Sequence, residues 1–179
     1  HSRNSEIWDR TNGRLYRVKH ASNWKPWKAT PGLWEPASTL ELQLQENGWL
    51  SRMARRKIEE AAARAPIDPS VIRRARELVR SEKTAEVRMR LMWWLFATND
   101  AGNAEVWRER LKDADADVRQ WAVRLSVEQG SLGEGLLSEF ERMAKEDASP
   151  VVRLALASAL QSIPATSRWG LASALLQHA

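Results

Sequence analysis

The sequence predicts an all-α chain: a right-handed α-solenoid of stacked helix pairs behind a short irregular or β N-terminal segment. Three observations predict it. First, an amphipathic stripe recurs. Val118, Trp121, Ala122 and Leu125 fall at i, i+3, i+4 and i+7 on one helical face, and Val152-Arg153 with Leu156 and Leu160, and Val87-Arg88 with Leu91 and Leu95, repeat the pattern. Leu50-Ser51 with Ala54 and Ile58 is a weaker copy without the arginine. Second, the copies are spaced by 37, 31 and 34 positions. At that period a helix pair cannot bury its apolar face alone, so neighbours stack and share one core. Third, capping residues precede the stripes, and only 8 Gly and 7 Pro argue against a turn-rich β fold.

In chain order, Thr11-Asn12-Gly13-Arg14 is a turn signal, and Leu15, Tyr16, Arg17 and Val18 alternate with the period of a short strand. Such a strand needs a ladder partner, either Ser5 to Trp8 or a strand from elsewhere. Residues 21–36 crowd three prolines, a glycine, Trp24, Trp27 and Trp34 into a connector. The exposed apolar end of a helical array needs a cap, and these tryptophans are expected to supply it. The chain therefore divides into an extension, 1–36, and a repeat domain, 37–179.

Ser38 with Glu41 fits a capping box for a helix reaching Glu46. Asn47-Gly48 breaks that helix, and Trp49 to Ala65 forms the next. Asp68-Pro69 opens a third, ending at Ser81, and Thr84 a fourth, ending at Thr98. Asn103 is expected to cap a helix to Lys112. Asp115 or Asp117 caps the helix that Gly130 stops. Ser131 with Glu134 reads as a second capping box, Ser149-Pro150 opens the next helix, and Pro164 to Ala179 begins one more. That makes four pairs and a ninth helix without its partner.

A hydrophobic content of 43% suffices for a core, and 28% charged residues suit amphipathic surfaces. The absence of cysteine excludes disulfides, thiolate metal sites and thioether-attached haem within this chain. The longest apolar run, Leu91 to Ala97, is too short to span a bilayer, and no signal peptide is visible. Because the chain opens on His1, it reads as a fragment or a processed form. Residues 47–90 hold twelve basic and six acidic side chains and residues 91–179 nine and twelve, so the first half is basic and the second mildly acidic.

The stretch Trp8 to Val18 (WDRTNGRLYRV) resembles the last propeller strand of large planctomycete-type membrane-bound dehydrogenases. Asn47-Gly48-Trp49-Leu50 with Ala54 and Arg56 resembles the first HEAT-repeat helix that follows that propeller, and Trp169 to Ala179 resembles a later helix of the same array. The Val-Arg-x-x-Ala-x-x-Leu motif behind an acidic turn is similar to the second helix of a HEAT repeat. The tetratricopeptide pattern does not recur. The resemblance implies an order of propeller, HEAT array and cytochrome c module, an extracytoplasmic (periplasmic) location, and partners among the other domains of a sugar-dehydrogenase-like parent. It assigns no catalytic residue, metal or cofactor to this chain.

The residues themselves offer few chemical constellations. His1, His20 and His178 lie outside the repeats, and no phosphate loop or nucleophile elbow appears. Asp113, Asp115 and Asp117 lack the glycine and glutamate of a calcium loop and read as caps. The interaction candidates are Trp93, Trp94, Arg88, Arg119 and Arg153. Trp93 and Trp94 are adjacent, so they cannot both point to the core centre. Trp121 shares the face of Val118 and Leu125 and is expected in the core. Arg88, Arg119 and Arg153 recur at one repeat position, as an anion-binding ladder or, preferably, as bridges to the acidic turn of a neighbouring repeat. Asp113, Asp115 and Asp147 are the candidate partners of Arg119. Two functions follow. The first is a non-catalytic scaffold or protein-interaction module. The second is a nucleic-acid binder similar to the HEAT-like alkylpurine DNA glycosylases, which needs a continuous basic groove with an exposed Trp and an unpaired carboxylate.

Overall fold

The computed structural model describes residues 28, 30–130 and 134–178, and among them every regular element is helical. Gly32–Ala179 forms one compact unit, within which all the packing below lies. The elements are α1 (Pro36–Glu41), α2 (Gly48–Ala62), α3 (Pro69–Ser81), α4 (Ala85–Ala97), α5 (Asn103–Arg110), α6 (Ala116–Glu128), α7 (Glu134–Glu146), α8 (Pro150–Ala159) and α9 (Trp169–Leu176). The turn and strand expected at Thr11 to Val18, Trp24, Trp27 and the Ser131 cap lie outside the described residues.

Local chemistry sets most of the helix starts. Asn47 Oδ1 accepts from the N–H groups of Trp49 and Leu50, Asp68 Oδ1 from Ser70, and Asp115 Oδ1 from Asp117 and Val118. Each carboxylate or amide thereby satisfies donors that the helix cannot. Gly130, at φ +69°, ends α6 in the left-handed region that glycine tolerates best.

Three expected starts are corrected. Pro36 rather than Ser38 opens α1, because proline at the first position has no N–H to lose; the Thr39 hydroxyl donates back to Pro36 O at 2.7 Å. Asn103 does not cap α5. Its side chain is buried, donates to Leu95 O at 2.8 Å and accepts from Arg76 Nε at 3.0 Å, so Gly102 stands at the cap. Pro164 opens a turn, not a helix: Ser167 N–H donates to Pro164 O at 2.9 Å, and α9 starts at Trp169.

The even-numbered helices pack in one row, and the odd-numbered ones in two shorter runs, α1 to α5 and α7 with α9. α2, α4, α6 and α8 each pack on the next, while α1 packs on α3, α3 on α5 and α7 on α9. Consecutive helices also touch, pairing α1 with α2, α3 with α4, α5 with α6 and α7 with α8. The stripe positions lie in one shared core with Ile58, Leu91, Val118, Ala122, Leu125, Val152 and Leu156 buried. Trp94 and Trp107 are also fully buried, and each finds a partner for its indole N–H: Trp94 donates to Thr39 Oγ1 at 3.1 Å and Trp107 to Gln129 Oε1 at 2.7 Å.

Candidate functional site

One flank of the even row carries a ladder of arginines. Arg88, Arg119 and Arg153 sit in the first turn of α4, α6 and α8, where the repeat places them. Each reaches back into the turn that precedes its own helix. Arg88 donates to Glu82 O at 3.1 Å, Arg119 to Asp113 O at 2.8 Å and Arg153 to Asp147 O at 2.7 Å. The first two also reach forward to the next pair. Arg88 Nη2 lies 2.7 Å from Asp113 Oδ1, and Arg119 grips Asp147 through two bonds, of 2.7 and 2.9 Å. The turns present these acids in a fixed way. Glu82, Asp113 and Asp147 each accept from the backbone N–H two residues on.

The ladder's electrostatics are those of a structural joint. The Asp147 contact holds the Arg119 guanidinium above its ordinary value. Burial pushes the Asp147 carboxyl up, but the bonds from Arg119 and the Ser149 N–H outweigh it and hold the carboxyl below its usual range. Asp113 also takes Arg110 at 3.1 Å, so two cations converge on one buried carboxylate. Arg88 is therefore buried in its ion pair, and both terminal nitrogens and Nε of the half-buried Arg119 are engaged by Asp147 and the turn carbonyls. Trp94 leaves the set of surface candidates too, being fully buried. Arg153 alone of the three forms no ion pair among the described residues, although its charge also acts on the Asp147 carboxyl.

At the first pair the ladder changes. Ser51 stands where the arginine would be, and its hydroxyl donates to Gln43 Oε1 at 2.9 Å. Gln43 Nε2 donates in turn to Thr39 O at 3.0 Å and to Ser51 O at 3.3 Å. This buried amide network joins α1 to α2, and it holds Arg55, whose Nη1 donates to Ser51 Oγ at 3.1 Å and to Gln43 Oε1 at 3.3 Å.

Arg55 leads to a second arrangement that the sequence reading missed. Its guanidinium lies over the Trp93 ring, 5.1 Å from the centroid. Trp93 meets Trp121 edge-on with centroids 5.0 Å apart, and Arg124 covers Trp121 at 5.1 Å. A cation–aromatic row thus runs across α2, α4 and α6. Beside Arg55 opens a groove of about 680 Å³, lined by Arg52, Arg56, Glu59, Trp93 and Phe96, among others. Burial and then the charges of Arg52 and Arg90 push the Arg55 guanidinium below its ordinary value. Arg56 is paired with Glu60, and Arg90 with Glu86, but no carboxylate pairs with Arg55. The Trp93 Nε1 is buried without a hydrogen-bond partner. Trp121, expected in the core, is only half-buried. It lies at the edge of the apolar stripe and completes this row.

A signal for the row existed in the sequence. In repeat register, Arg56, Trp93 and Arg124 share one column, and Arg90 and Trp121 share another. Among the described residues no His, Asp or Glu cluster could hold a metal, and no helix is long and apolar enough to cross a membrane. Comparisons with protein-family models, with curated proteins and with solved structures returned no match.

Proposed function

We propose that the chain is a non-catalytic interaction module, a right-handed α-solenoid of HEAT-like pairs, that binds an acidic segment of a protein partner in the Arg52–Arg55–Trp93 groove. The observation that carries this reading is Arg55. It is half-buried, flanked by two further arginines and stacked on an indole, with no acid to neutralise it. A carboxylate from outside would relieve that repulsion, and a charge-assisted bond to Arg55 would be strengthened by partial burial. Three features support the solenoid: the continuous row of α2, α4, α6 and α8, the repeated reach of Arg88 and Arg119 into the next acidic turn, and the 31-to-37-residue period.

The nucleic-acid reading draws on the same Arg and Trp side chains. It is the weaker one, because the ladder arginines are already tied to aspartates or to backbone carbonyls and so do not extend the groove into a continuous basic track. Membership of a propeller–HEAT–cytochrome c parent, with an extracytoplasmic location, rests on the resemblance of Trp8 to Val18 and belongs to the proposal. The test is calorimetric titration with a short oligoglutamate peptide and, separately, with a single-stranded oligonucleotide. The proposal expects the peptide to bind and Arg55→Gln to weaken it at least about tenfold, which is about 1.4 kcal/mol. Binding of the oligonucleotide alone would favour the second reading.

A further inference from the structure

The groove beside Arg55 has two unlike ends. Its walls are α2 and α4, neighbours in the even row. Arg52, Arg55 and Arg56 line one end, and Ala62, Ala63, Phe96 and Ala97 the other. The repeat register accounts for this. A step of 37 positions carries Arg56 to Trp93, Glu59 to Phe96 and Ala62 to Asn99, so the two walls keep step from the cationic end to the apolar one. The apolar end is accessible: Ala63 is exposed, and Ala62, Phe96 and Ala97 are only half-buried. Between the ends, one turn beyond Arg55 on α2, the exposed Glu59 also lines the groove. It repels a second carboxylate at that level. A uniformly acidic segment is therefore not the best fit.

The helix geometry sets a spacing. Arg55 and Ala62 are seven residues apart on α2, about 10 Å along its axis. An extended peptide advances about 3.3 Å per residue, so about three residues cover that distance. A helical ligand would need about seven residues, and two turns of helix about 10–12 Å across occupy about 800–1,100 Å³. The groove, at about 680 Å³, is smaller than that.

We infer that the groove reads an extended partner segment with a carboxylate for Arg55 and, three residues away, an aliphatic side chain for the Ala62–Ala63–Phe96 end. This rests on the proposed reading of the Arg55 groove and adds its specificity. The chain's own first 27 residues are a poor occupant. Their acids are Glu6 and Asp9, and the residues three positions from these are Arg3, Asp9, Glu6 and Asn12, none of them aliphatic. The groove lies between neighbours within the even row, so a further helix pair stacked on either end of the row would leave it open.

The test is calorimetric titration of the full chain, at low salt, with the capped peptide Glu-Glu-Ser-Gly-Leu-Gly, with its reversed sequence, and with controls carrying Ser for Leu. The better of the two orders should bind at least about fivefold more tightly than its Ser control. Ala63→Gln, which puts a polar side chain at the apolar end, should remove that preference and leave the Ser control's affinity unchanged. Ala63 is exposed, so the variant should fold, as circular dichroism would show. Arg55→Gln should weaken the Leu peptides and the Ser controls alike. Leu and Ser peptides of equal affinity that both depend on Arg55 would overturn this inference and leave the acidic-segment reading standing. A preference for Leu that survives Ala63→Gln would overturn it too, as would tighter binding by a peptide with six alanines between Glu and Leu, the helical spacing. Failure of every peptide to bind, or binding indifferent to Arg55, would overturn both readings.

Discussion

The even row of helices carries arginines on two surfaces, and the two sets have opposite fates. Arg88 and Arg119 meet carboxylates presented by the next turn and become joints between helix pairs. Arg55 meets an indole, a hydroxyl and an amide, with two more arginines near it, and keeps an unneutralised charge. The side chain and the helix type are the same. What differs is whether the neighbouring turn supplies an acid. A basic helical surface thus divides into a structural part and an available part, and the division is set by the partner, not by the arginine.

The sharpest break in this comparison should come from Asp113. Arg88 and Arg110 both depend on it, and Arg88 is buried. Removing one partner of a buried pair leaves an uncompensated charge, so Asp113→Ala should cost about 3–5 kcal/mol by urea denaturation. Leu125→Ala, in the core stripe of α6, should cost about 2–5 kcal/mol through its cavity. A loss under about 1 kcal/mol would mean that the stripe does not carry the packing.

A smaller effect should follow from pH. The Asp147 carboxyl lies below its ordinary value of about 3.9 in the folded chain. Its contribution is therefore fully present above that value and is lost as the pH falls from about 4 through the folded-state value. Denaturation midpoints between neutral pH and pH about 3 should fall less steeply in Asp147→Asn than in the parent chain. At the small end, Arg55→Gln should change stability by less than about 1 kcal/mol, because the cation–π contact and the hydrogen bonds to Ser51 and Gln43 that it removes are offset by the repulsion it relieves, and Ser51 and Gln43 keep their bond to each other.

Much of the fold was legible because its signals are local. Asn47, Asp68, Asp115 and Ser149-Pro150 mark helix starts through their own backbone chemistry, and the Val-Arg spacing marks which face is buried. Where tertiary demands intervene, the local signal misleads. Asn103 has the composition of a cap, but the carbonyl of Leu95 and the guanidinium of Arg76 claim its side chain. Pro164 has the composition of a start but closes a turn on Ser167. The pairing of Arg119 was legible as far as its kind, since Asp147 was one of three candidate acids. The Arg55–Trp93–Trp121–Arg124 row was not read, because its members come from three helices and meet only through the stacking of the even row. Its traces in the sequence were the repeat columns that hold Trp93 with Arg124 and Arg90 with Trp121, and the position of Trp93 beside a tryptophan that the core had to take.

Under the proposed function, the groove arginines are available to a partner and the ladder arginines are not. The most direct test is one calorimetric titration of an oligoglutamate peptide onto Arg55→Gln and Arg119→Gln side by side, at neutral pH and low salt, with both variants shown to be folded. The account predicts that Arg55→Gln weakens binding at least about tenfold while Arg119→Gln binds like the parent chain. Equal losses in both variants, or a loss confined to Arg119→Gln, would contradict it.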